Sequence, residues 1–64
     1  MKRDQLLKEL RYEAKSAGLE FRVDKAAGKG SHYRVYVGSR FTTVQSGELT
    51  PFLIRRIRRQ LGLE

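Results

Sequence analysis

Ser31-His32-Tyr33-Arg34-Val35-Tyr36-Val37-Gly38-Ser39-Arg40-Phe41-Thr42-Thr43-Val44-Gln45 decides how this chain folds. From residue 31 to 37 the pattern has a period of two. Tyr33, Val35 and Val37 fall on one face, and His32, Arg34 and Tyr36 on the other, which is the signature of a half-buried strand. Gly38-Ser39 makes a two-residue hairpin turn, because glycine takes the positive φ that primed turns require. Residues 40 to 45 then return as a second strand. A two-residue turn sets Val37 opposite Arg40, Val35 opposite Thr42 and Tyr33 opposite Val44, and paired residues share a face. Tyr33, Val35, Val37, Thr42 and Val44 are therefore expected toward the core. His32, Arg34, Tyr36, Phe41, Thr43 and Gln45 are expected together on the opposite face, with Tyr36 and Phe41 as aromatic neighbours. A register slip of one residue would bury Phe41 instead.

Outward from the hairpin, residues 25 to 30 hold two alanines, two glycines and two lysines and read as a loop. Residues 19 to 24 alternate Leu19, Phe21 and Val23 against Glu20, Arg22 and Asp24, which predicts another half-buried strand. Residues 3 to 17 place Leu6, Leu10, Ala14 and Ala17 at helical spacing, widened by Leu7. Asp4 suits the N-cap or first turn of that helix, and Gly18 its C-terminal stop. On the other side, residues 46 to 49 connect to Thr50-Pro51, a threonine cap followed by proline at the first helical position. The helix from 51 to about 61 carries Leu53, Ile54, Ile57 and Leu61 on one stripe and ends at Gly62. The expected fold is α+β: one domain over residues 1–64 in the order helix–strand–strand–strand–helix. A three-stranded antiparallel sheet with both helices on one face buries all three apolar surfaces.

The formal net charge is +7, from 14 Lys and Arg against 7 Asp and Glu. On so small a domain this points to a polyanion, most often nucleic acid. Cysteine is absent, which removes a disulfide framework and thiolate metal ligation and fits the cytoplasm. After Lys2 and Arg3 the chain runs straight into charged helical residues, so no leader is expected, and nothing approaches a membrane span. Insertion at a membrane surface is disfavoured because the apolar stripe of the last helix is needed for the core.

His32 is the single histidine, and it stands in a basic, glycine-rich setting with Gly28, Lys29 and Gly30 before it and Arg34 after it. Histidine takes and gives protons near neutral pH, and glycines let backbone N–H groups approach an anion. One histidine, no cysteine and scattered carboxylates make no transition-metal site, so no metal and no cofactor is expected. Ser31 adjoins His32, and adjacent strand residues point to opposite faces, so no nucleophilic triad is signalled. Ser31 reads better as a phosphate or backbone partner. The pattern fits metal-free chemistry on RNA, where the 2′-hydroxyl is the nucleophile. His32 would move one proton, while Lys29, Arg34 and loop N–H groups would stabilise the phosphorane. Tyr36, Lys29 or water would fill the second proton role. Tyr36 and Phe41 suit stacking with unpaired bases, or equally a partner-binding patch. Arg55, Arg56, Arg58 and Arg59 have no acid among them and favour an anion or an acidic partner, although a charge run on a helix is ordinarily a solvated face.

Lys29-Gly30-Ser31-His32 leading into the second strand, the Thr42-Thr43-Val44 strand and the ending Ile57-Arg58-Arg59-Gln60-Leu61-Gly62-Leu63 together resemble the HicA toxin family. The resemblance covers nearly the whole chain, and Gly-Ser-His and Leu-Gly-Leu are its most specific parts. It implies a fold like the double-stranded RNA-binding domain. It implies the toxin of a type II toxin–antitoxin pair, an endoribonuclease acting on mRNA and neutralised by a HicB-like antitoxin. The family's catalytic histidine falls on His32, with Gly30 and Ser31 matching the motif beside it. The segment from Gly18 to Gly30 is longer than in many members. Two other readings use the same residues: a non-catalytic RNA-binding module, and a protein-interaction domain docking through Tyr36 and Phe41.

Overall fold

A computed structural model of the chain describes residues 1–26 and 32–64. The elements are α1 (Arg3–Ser16), β1 (Phe21–Asp24), β2 (Tyr33–Val37), β3 (Arg40–Val44) and α2 (Pro51–Gln60). The strands form one antiparallel sheet in the order β1-β2-β3. The hairpin register is the expected one: Val37 faces Arg40, Val35 faces Thr42 and Tyr33 faces Val44. Gly38 has φ +60°, and no described residue other than glycine has a positive φ, so the turn is of the II′ kind.

The phase of the backbone ladders follows from one bond. Gly38 N–H donates to the Glu20 carbonyl at 2.9 Å. Hence Gly38, Tyr36 and Arg34 exchange backbone bonds with the β1 side, and Val37, Val35 and Tyr33 with β3. On β3 the bonded residues are Arg40, Thr42 and Val44. The N–H and C=O groups of Phe41 and Thr43 point away from β2.

Leu6, Leu10 and Ala14 from α1, Val35, Val37 and Val44 from the sheet, and Leu49, Ile57 and Leu61 make one continuous core. The buried sheet residues share a face, so both helices lie on that side. Thr42 is buried among them, and its hydroxyl donates to Gln60 Oε1 of α2, which removes the cost of an unsatisfied hydroxyl. Leu49 sits in the expected connection yet is a core residue at 1% exposure. A leucine buried so completely contributes about 1.5–3 kcal/mol. The chain start holds it there: Leu49 N–H donates to the Met1 carbonyl at 2.7 Å, and Lys2 bridges Glu48. The Met1 ammonium pairs with Glu48 and keeps that carboxyl below the usual carboxylate range.

Both helices end in the same way. Gly18 and Gly62 adopt φ +73° and +74°, where side chains are strained. Their N–H groups and those of Leu19 and Leu63 return to the carbonyls of Lys15, Arg59, Ala14 and Arg58, closing two Schellman motifs. This shortens the first strand relative to the expected 19 to 24. Leu19 is spent on the helix cap and stays 39% exposed, and pairing begins at Phe21. The helix itself stops at Ser16, so Ala17 is the exposed C-cap and not part of the buried stripe. Asp4 lies in the first turn, and the capping position is Lys2. Thr50 caps α2 as expected, its hydroxyl accepting from Leu53 N–H at 3.2 Å.

Candidate nucleic-acid interface

The sheet face away from the helices carries two cross-strand rows. Register places Arg22, Tyr36 and Phe41 in one row and Asp24, Arg34 and Thr43 in the next. Within the first row the Arg22 guanidinium lies 4.1 Å from the Tyr36 ring centre. The Tyr36 and Phe41 rings are 5.8 Å apart and tilted by 37°. From the second row, the Arg34 guanidinium reaches diagonally to 5.2 Å from the Phe41 ring. Two aromatic rings are thus flanked by two guanidinium groups, each within cation–π range. Phe41 remains 55% exposed, so this is a platform and not a packed cluster. Arg34 Nε is shielded from solvent and has no hydrogen-bond partner among the described residues.

His32 is exposed and immediately precedes β2. It has no register partner in the sheet and takes part in none of the ring contacts of the platform. Lys29, Gly30 and Ser31, the other residues expected to bind RNA there, lie outside the described residues. Tyr33 faces the helix side, with the Arg3 guanidinium 3.6 Å above its ring and Lys25 Nζ at 5.7 Å. The sequence assigned no role to Arg22. Its signal was present in the alternation of residues 19 to 24, but the sequence that follows does not fix which β2 residue it meets.

The arginine run of α2 divides into two kinds. Arg58 turns onto α1, where its guanidinium bonds Glu13 and Glu9, the latter at 3.2 Å. Its side chain is 21% exposed, and it holds the two helices together. Arg55 faces Glu64 across 3.7 Å. Among the described residues, Arg56 and Arg59 form no ion pair. Arg56 lines a cleft of about 560 Å³ between β3 and α2, with Phe41, Thr43, Gln45, Leu53 and Gln60.

Among the described residues no group of three or more His, Cys, Asp or Glu is placed to hold a metal ion, and no helix is long and apolar enough to cross a membrane. No known family model matches the chain, and neither a curated protein nor a solved structure matches it.

What the open face offers chemically is specific. Flat rings take the π-faces of unpaired bases, and the guanidinium groups at their edges take phosphate oxygens or stack in turn.

Proposed function

We propose that the open sheet face binds unpaired RNA and that His32 cleaves it, making the chain an endoribonuclease of the HicA toxin kind that acts on mRNA in the cytoplasm and is restrained by a HicB-like antitoxin. The observation that carries this reading is the Arg22–Tyr36–Phe41–Arg34 cluster on the open sheet face, with Phe41 exposed, on a domain of net charge +7 whose one histidine lies one residue before β2. Stacking on an aromatic side chain contributes about 1–3 kcal/mol per base and tolerates any base. It would hold the strand while the arginines fix the phosphates.

In the reaction, the ribose 2′-oxygen attacks the adjacent phosphorus and the bond to the 5′-oxygen breaks. The products are a 2′,3′-cyclic phosphate and a free 5′-hydroxyl. His32 either removes the 2′-hydroxyl proton or protonates the leaving oxygen, and water fills the other role. Arg34 lies two residues along the same strand face and stabilises charge on the phosphorane.

A second reading, a binding module without chemistry, uses the same aromatic platform and leaves His32 idle. Cleavage of a labelled single-stranded RNA with excess EDTA, wild type beside His32→Ala, separates the two. Cyclic-phosphate ends from the wild type and none from the variant support the nuclease. Intact RNA in both reactions, with tight binding in a gel-shift assay, leaves the binding module. Equal cleavage by both proteins would overturn the role of His32.

A further inference from the structure

The cleft beside β3 is bounded by an unpaired strand edge. β3 is the last strand of the sheet, and the backbone groups of Phe41 and Thr43 point outward from it. Natural sheets blunt such edges with charged side chains, lysine above all, with proline, a bulge or a covering segment. Residues 40–44, Arg-Phe-Thr-Thr-Val, carry a single charge, Arg40 beside the turn, and no lysine or proline, so the edge from Phe41 to Val44 is uncharged, and the pairing with β2 runs without a bulge. No described backbone group outside the sheet bonds to Phe41 or Thr43. The opposite edge is different: β1 is shorter, and Arg11 of α1 reaches over Phe21, with its guanidinium 5.8 Å from the ring.

We infer that the β3 edge accepts an extended acidic segment of another polypeptide as a fourth strand. An added strand would run about 4.8 Å from β3, which places it in the mouth of the 560 Å³ cleft. Its side chains would alternate between the two faces of the sheet. Those on the helix side meet Leu53 and Ile57 at the base of the cleft and Arg56 at its wall. Arg56 has no acidic partner among the described residues, so an acid on the helix side of the incoming strand would complete it. Charge also decides against a second copy of this chain. Edge-to-edge pairing would bring two domains of +7 together with their α2 arginines converging. RNA could use the arginines but not the outward amide and carbonyl pattern, which matches a polypeptide backbone. The inference does not depend on what the open sheet face binds.

The test uses isotope-labelled whole chain and a synthetic heptapeptide of alternating valine and glutamate, with the valine–lysine peptide as control. Amide exchange read by NMR should slow at least tenfold at Phe41 and Thr43 with the acidic peptide and remain unchanged with the basic one. Arg56→Glu, a surface change, should weaken binding at least tenfold without altering the thermal melt. Thr43→Pro, which removes an outward N–H and leaves the β2 ladder intact, should abolish it. No slowing at these amides at millimolar peptide would overturn the inference. So would equal binding of the basic peptide, shifts centred on Tyr36 and Arg34, or the same amides protected by a single-stranded RNA oligomer.

Discussion

Arg58→Met should unfold the domain at a markedly lower temperature, although Arg58 looks in sequence like one of four equivalent arginines. Its guanidinium is shared by Glu9 and Glu13, and the three side chains are 21%, 36% and 32% exposed. Fully exposed pairs contribute about 0.2–1 kcal/mol each, and breaking a buried one costs about 3–5 kcal/mol. At this intermediate exposure, with solvent screening, the two contacts together amount to about 1–2 kcal/mol. The figure includes a few tenths from Glu9 and Glu13, which would then repel one another one turn apart on α1. Methionine keeps most of the aliphatic packing, so the loss is chiefly electrostatic. A chain of 64 residues is stable by roughly 3–10 kcal/mol in all. Each kcal/mol moves Tm by about 4–8 °C at this size, so the fall should be about 5–15 °C. Thermal melts followed by circular dichroism, for wild type, Arg58→Met, Arg56→Met and a Glu9→Gln/Glu13→Gln pair, would measure it. Arg56→Met should stay within about 0.5 kcal/mol of wild type, as an exposed surface change does. If Arg58→Met and Arg56→Met melted together, the clamp would be refuted. The same holds if Arg58→Met cost as much in the Glu9→Gln/Glu13→Gln background as alone.

Phe41→Ala should weaken binding of single-stranded RNA by about 1–3 kcal/mol, roughly 5–150-fold, and lower stability by under about 1 kcal/mol because the ring is 55% exposed; gel shifts and urea titration would show both. RNA affinity should also fall linearly on a log–log plot against salt concentration, and a flat plot would remove the phosphate contacts. Glu48 should add acid sensitivity. Its carboxyl is held low by the Met1 ammonium, so this contact stabilises the fold above the ordinary carboxylate range and is lost as pH falls through the depressed value. Glu48→Gln should therefore lower Tm at pH 7 and converge with wild type in strong acid.

The hairpin was legible because a two-residue turn leaves one register, and the alternation of residues 31 to 37 admits one buried face. The Tyr36–Phe41 pair followed directly from it. The β1 partnership was not legible, since residues 25 to 30 connect the strands without fixing an alignment, and so Arg22 over Tyr36 went unseen. Arg58 was hidden for a different reason. Charge alone cannot tell an arginine turned to solvent from one turned to a neighbouring helix, and only the packing angle of α2 on α1 does so. Leu49 looked like connector because nothing local marks it as buried. What buries it is the chain start, far away in sequence.

The contacts that bind α1 to the far end of the chain have a kinetic consequence. The bond from Arg58 to Glu13 spans 45 residues, that from Arg58 to Glu9 spans 49, and that from Met1 to Leu49 spans 48. Closing loops of that length costs entropy before any contact repays it, whereas the β2–β3 hairpin closes over two residues. The hairpin should therefore be in place at the folding transition state, and the seam between α1 and α2 should zip afterwards. Weakening that seam would leave the folding rate almost untouched and hasten unfolding, so the lifetime of the native state is set at the helices while its birth is set at the turn.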